Sequence, residues 1–111
     1  MKELGSRDRT HLKGLAHGLE PVVQVGSSGF TPDLTRAVTV ALEDHELVKV
    51  RLGQGYEGER KAGSVELAGL VDAALVQLIG RVVVLYRPRT RDIKGRPRIV
   101  LPGSKAKAGG D

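Results

Sequence analysis

Five consecutive residues, Val82-Val-Val-Leu-Tyr86, contain no charged side chain, and four of them are aliphatic. A β-strand shows alternate residues to opposite faces, so an unbroken apolar strand needs cover on both sides. The chain must therefore supply a sheet with this strand at its centre and helices to close it off. With 111 residues it can bury one modest core and make one domain.

The rest of the sequence alternates helical and extended patterns. Leu12, Leu15, Ala16 and Leu19 recur at helical spacing behind Ser6, a residue suited to an N-cap. The first helix is predicted from Arg7 to His17, with Gly14 weakening it, Gly18 as its C-cap and Pro21 preventing its continuation. Val22, Val23 and Val25 form a short strand. Thr31 and Pro32 then read as N-cap and first helical residue, and Leu34, Ala37, Val38, Ala41 and Leu42 define a second amphipathic helix. Leu47-Val-Lys-Val-Arg-Leu52 alternates apolar and charged, as a half-buried strand does. Residues 53–63 form a polar, glycine-rich loop expected to be mobile. A third helix follows, with Leu67, Leu70, Val71, Ala74 and Leu75 predicted on one face. Val76–Ile79, a tight connection at Gly80 and Val82–Tyr86 complete the order α-β-α-β-α-β-β, an α/β domain of two or three layers. Ile99–Leu101 is read as a short edge segment. Residues 1–101 are taken as the domain and PGSKAKAGGD as a disordered basic tail.

Composition excludes several functions. There is no cysteine, hence no disulfide and no thiolate metal site. The first residues are too polar for a signal peptide, and no apolar run is long enough to span a membrane. A cytoplasmic protein with no membrane contact is expected. The charge is unevenly placed. Residues 1–86 carry 10 Lys/Arg against 11 Asp/Glu, whereas residues 87–111 carry 8 against 2, so −1 and +6 give the net +5. A polyanion meeting one edge of the molecule fits this asymmetry, and so does a solvated basic tail.

Gly26-Ser27-Ser28-Gly29 lies between a strand and a helix start. The first turn of a helix offers N–H groups and partial positive charge, and glycines let a phosphate approach them. Such a loop can clamp a sugar-phosphate backbone, as the GXXG loop of KH domains does. The alternative is a tight turn that merely needs a positive φ. A Walker loop would need Gly-Lys-Ser/Thr, and a dinucleotide fingerprint a third glycine; neither is present. The Gly-x-Ser-x-Gly elbow of hydrolases is also unmatched.

KGLAHGLEPVVQVGSSGFTPDL, ALEDHELVKVRL and VQLIGRVVVLYRP, taken in this order, resemble the CRM domain (chloroplast RNA splicing and ribosome maturation) in its bacterial stand-alone form. The resemblance spans roughly residues 7–101. It implies a compact domain similar to the C-terminal domain of translation initiation factor three, with a mixed four-stranded sheet packed with three helices. It implies RNA binding without catalysis, with precursors of the large ribosomal subunit as the partner. The family's GxxG loop falls on Gly26, Ser27, Ser28 and Gly29.

Arg87, Arg89, Arg91, Lys94, Arg96 and Arg98 place six cations within twelve residues. In an extended segment they would face successive phosphates beside the glycine loop, so that one RNA touches both. Lys13, one turn after Arg9, extends this surface or is simply part of a solvated helix face. Phe30 either stacks on a base or packs beneath the turn. With only Phe30, Tyr56 and Tyr86 as aromatics, recognition should favour shape and backbone over base identity. His11 and His17 fall on different sides of a helix, and His17 and His45 suit helix C-termini, so no metal site is expected. Glu43, Asp44 and Glu46 are read as a solvated acidic cluster. No catalytic pair, cofactor or small-molecule substrate is indicated. The competing function is a protein-interaction module that contacts a ribosomal protein or an assembly GTPase.

Overall fold

The structure is a computed structural model and describes residues 4–103. Three helices and four strands alternate: α1 (Ser6–Ala16), β1 (Pro21–Val25), α2 (Pro32–His45), β2 (Leu47–Leu52), α3 (Arg60–Leu70), β3 (Ala74–Ile79) and β4 (Val82–Tyr86). The sheet order is β1-β2-β4-β3. β1 runs parallel to β2, and the other pairs are antiparallel. A parallel neighbour requires a crossover, and α2 provides it. β4 is central, with Val83 to Tyr86 buried, as its unbroken apolar run requires.

Helices cover both faces. α2 and α3 enclose Val25, Val48, Val50, Leu52, Val83 and Leu85 on one side. α1 closes the other side with Leu12 and Ala16 over Leu47, Val76, Val84 and Tyr86. Each fully buried Leu or Val contributes about 1.5–3 kcal/mol relative to exposure. The α1 layer is narrower than the sheet it covers.

Several local expectations need correction. Gly5 is the N-cap of α1 rather than Ser6, and His17 rather than Gly18 ends it. The third helix starts earlier, at Arg60, because the Glu59 carboxylate accepts the Lys61 and Ala62 amides. It also ends earlier. Asp72 turns to φ 53°, its N–H donates to the Gly69 carbonyl at 3.3 Å, and the Ala73 N–H donates to the Ala68 carbonyl at 2.8 Å. That pair of bonds is a Schellman stop, so Ala74 and Leu75 belong to β3 instead of the helix face. Residues 53–59 fold over Tyr56, whose ring lies 5.6 Å from that of Phe30 and whose hydroxyl reaches Gly63, where a Cβ would collide with it. Ile99–Leu101 joins no strand; Ile99 and Leu101 pack against the α1 core. The chain remains attached through Gly103, whose N–H donates to the Asp8 carboxylate at 2.8 Å. The remainder of the tail predicted to be disordered, residues 104–111, lies outside the described residues.

Arg9 guards the outer edge of the sheet. Its guanidinium donates to the Leu75 and Val76 carbonyls at 2.5 and 2.8 Å, where a bulge in β3 breaks the register with β4. Arg9 is therefore bound to main chain and is no part of a solvated helix face.

Candidate nucleic-acid interface

Gly26–Gly29 forms a tight turn closed by the Gly29 N–H donating to the Gly26 carbonyl at 3.1 Å. Gly29 has φ +71°, which a side chain would strain. Gly26, Ser27 and Ser28 are exposed, and a Cβ on Gly26 would meet open space. The turn leads directly into α2, but it offers fewer bare helix amides than the sequence suggests. Pro32 has no N–H, the Leu34 N–H donates to Thr31 Oγ1 at 3.1 Å, and the Thr31 N–H donates to the Gly29 carbonyl at 3.1 Å. Asp33 adds a carboxylate, which Arg36 pairs at 3.1 Å. α2 is thus largely capped by its own chain, and the groups left for a ligand are the two serines, the main chain of the turn and the Asp33 N–H. Phe30 is half-buried on Tyr56 and packs against the core, which fits the packing alternative rather than base stacking.

The six cations of residues 87–98 are not equivalent. Arg89 is 3 % exposed. Its Nε donates to the Glu43 carbonyl at 3.1 Å, one terminal nitrogen to the Asp44 carbonyl at 2.6 Å, and the other to the Arg96 carbonyl. Arg89 therefore caps the C-terminus of α2 and cannot face a phosphate. Arg87 is half-buried and donates to the Val71 carbonyl at 3.3 Å. Arg96 lies 3.6 Å from the Asp44 carboxylate, and Arg98 is paired with Asp92 at 2.7 Å, a contact that holds the Arg98 pKa above its ordinary value. Arg91 and Lys94 stand exposed on the outside of the segment. Six apparent phosphate ligands reduce to two open cations and two in surface ion pairs.

The acidic cluster is corrected as well. Glu46 is 1 % exposed, with φ 65°. Its two carboxylate oxygens accept the Arg89 and Ile99 amides, each at 2.7 Å. Glu43 accepts the Thr90 hydroxyl at 2.8 Å and the Thr90 amide at 3.1 Å. The hydroxyl contact above all, aided by the Arg87 and Arg91 charges, holds the Glu43 carboxyl below its usual value. These carboxylates pin the arginine segment to the end of α2.

This anchoring also overturns the expected neighbourhood of turn and arginines. The turn precedes α2 and the arginine segment docks at its far end, with fourteen residues, about 20 Å of helix, between them. The sheet says the same. Leu52, at the turn end of β2, is paired with Val25, whereas Leu47 at the other end faces Tyr86. The cations near the turn are different ones. Arg51 and Arg81 line an open groove of about 430 Å³ with Gln24, Gly53 and Gln54, and Gly55 packs on the Ser27 main chain. Arg81 donates to the Gly53 carbonyl at 3.3 Å, and Arg60 to the Gly80 carbonyl at 3.2 Å. Arg51, Arg60 and Arg81 escape a reading of charge runs because they lie far apart in the chain. The alternation in Leu47–Leu52, which puts Lys49 and Arg51 on one face, was the available signal.

Among the described residues no group of three or more His, Asp or Glu could hold a metal ion. His17 and His45 lie at helix C-termini as expected.

A family model for the CRS1/YhbY (CRM) domain matches residues 4–87, three-quarters of the chain. The chain belongs to the CRS1/YhbY (CRM) family. The match stops at Arg87, so the rest of the arginine segment lies beyond it. Among relatives of this CRM domain, an "RNA-binding protein" of Haemophilus influenzae is 40 % identical over 89 residues, covering 79 % of this chain and 89 % of its own length. The "Probable RNA-binding protein YqeI" of Bacillus subtilis is 32 % identical over 99 residues, covering 89 % of this chain and 99 % of itself. The solution structure of the hypothetical protein SAV1595 from Staphylococcus aureus superimposes with a TM-score of 0.72 at 29 % identity, covering 89 % of this chain and 99 % of that one. The CRM fold, three helices and a four-stranded mixed sheet, is the fold of this chain.

Proposed function

We propose that this CRM domain binds RNA, without chemistry of its own, as an accessory factor in assembly of the large ribosomal subunit in the cytoplasm. The observation that carries the reading is the exposed turn Gly26–Gly29, with two serine hydroxyls and arginines converging from β2 and the β3–β4 turn at the same end of the sheet. Hydroxyls and main-chain amides suit phosphate oxygens, and arginine supplies the long-range attraction. The RNA-binding names of relatives across most of their length support the ligand class. The choice of large-subunit precursor follows from the family resemblance.

The test is binding of Ser28→Asp and Gly29→Asp to precursor ribosomal RNA, with thermal unfolding measured alongside. Binding weakened by about tenfold or more, with Ser28→Asp melting close to the parent, supports the site; unchanged isotherms for both variants remove the turn from it. Cross-linking in cells should recover large-subunit precursor sequence. Association with ribosomal particles that survives nuclease treatment would favour the protein-interaction module.

A further inference from the structure

α1 leaves half of its sheet face uncovered. Beneath it lie Leu47, Val76, Val84 and Tyr86, all towards one end. Towards the other end the strand register carries a row across all four strands: Gln24 beside Arg51, Arg51 opposite Val82, Val82 opposite Ile79. Gln24 and Arg51 are exposed, Val82 is half-buried, and Ile79 is 53 % exposed. Lys49 and Gln77, each registered with Val84, form the row at the helix margin. This bare half ends at the turn Gly26–Gly29 and at Arg81.

Its charge is one-sided. The 22 strand residues contain no Asp or Glu, and Lys49 and Arg51, two apart and so on the same face, are their only charges. Lys13 is exposed on α1, the helix at the margin of this area. The flank of α1 that carries Asp8 touches the C-terminal segment through Gly103, whereas Arg9 and Lys13, one turn apart, occupy the opposite flank. Two of the acids at this end are engaged away from this face. Asp33 is held by Arg36, and Glu59 caps α3, which packs on the other face of the sheet.

We infer that the uncovered half of the sheet is the seat for a single strand of RNA, with the glycine–serine turn gripping its backbone at the rim. The inference rests on the RNA-binding reading above. Single-stranded RNA can lay unstacked bases on the aliphatic floor of Ile79 and Val82, while the Gln24 and Gln77 amides meet base edges and Lys49, Arg51 and Arg81 meet phosphates. A duplex keeps its bases stacked inside and cannot use that floor. Four strands span about 14 Å, the scale on which an RRM sheet takes two or three bases. With no aromatic residue on this floor, sequence preference is weak.

The experiment measures fluorescence anisotropy of a short unstructured RNA and of a hairpin duplex of the same composition, each against the parent protein and two double variants. Lys49→Glu/Arg51→Glu should weaken single-strand binding by about tenfold or more, and Arg91→Glu/Lys94→Glu by less than about threefold. The neutral pair Lys49→Gln/Arg51→Gln should flatten the salt slope by about 1.4, about 0.7 per phosphate contact on a single strand. In the parent, the amide signals of Arg51, Ile79 and Val82 should shift on titration with the single strand, a readout that needs no variant to fold. Binding unchanged in the face variants with those signals stationary, or a duplex preferred over the single strand, overturns the seat while RNA binding stands. Failure of the parent to bind either probe overturns both.

Discussion

Tyr86 ends the central strand with 3 % of its surface exposed. Burial first, and then the Glu46 and Asp8 charges, push its phenol up to about 12. A raised pKa means that folding favours the protonated form, so this contribution to stability is complete below pH 10 and disappears as pH rises through 12. Ultraviolet titration of the native protein should show delayed phenolate formation, and Tyr86→Phe should remove the corresponding alkaline loss of stability. Gly29 illustrates a different residue-scale constraint. At φ +71° any β-branched side chain is strained, so Gly29→Val should lower unfolding free energy by about 1–2 kcal/mol in urea titration. The need for a glycine was readable from the spacing of Gly26 and Gly29. The companion idea, an array of bare helix amides, was not, because Thr31 and Pro32 both invite and close that end of α2.

At the scale of elements, the segment from Arg87 to Ile99 is a loop fastened at three places: the Glu46 carboxylate, the Glu43 carboxylate and the Arg89 guanidinium. Arg89→Met deprives the last carbonyls of α2 of their donors and should cost about 2–4 kcal/mol. It should also speed proteolysis at Lys94. Arg89→Lys should recover little, since one ammonium cannot reproduce a planar fork reaching three carbonyls. Acid should loosen the same segment. The Glu43 pKa is depressed in the fold, so its support is present above the unfolded value and fades as pH falls through the folded one. Sequence pattern identified α2 and β2 because their apolar periods are unbroken. It overran α3 because Ala74 and Leu75 continue a helical spacing past a left-handed Asp72, which has no glycine to advertise it. It gave Arg89 to the solvent for a related reason: two of its three main-chain partners, the Glu43 and Asp44 carbonyls, lie more than forty positions earlier.

Across the whole molecule, two cationic regions occupy opposite ends of α2 rather than one edge. Sites about 20 Å apart with no shared partner act independently. Ser28→Asp combined with Arg91→Glu/Lys94→Glu should therefore change binding free energy by the sum of the separate effects, to within about 0.5 kcal/mol, in anisotropy titrations on one RNA. A large departure from additivity would place both ends on a shared contact. The excess positive charge of the sequence lies after residue 86, whereas Arg51 and Arg81 gather at the opposite end of α2. Folding brings Arg51, Arg60 and Arg81 together only once β2, α3 and the β3–β4 turn are assembled.

The bond from Arg9 to the β3 carbonyls bears on how this protein behaves in concentrated solution. An outermost strand with free carbonyls is a template on which another molecule's strand can zip. Here a helix on the same chain fills two of those acceptors with a charged side chain just where the bulge distorts the rail. Those two carbonyls are thereby withdrawn from pairing with a strand of a second copy, while the face of the sheet beside them stays uncovered.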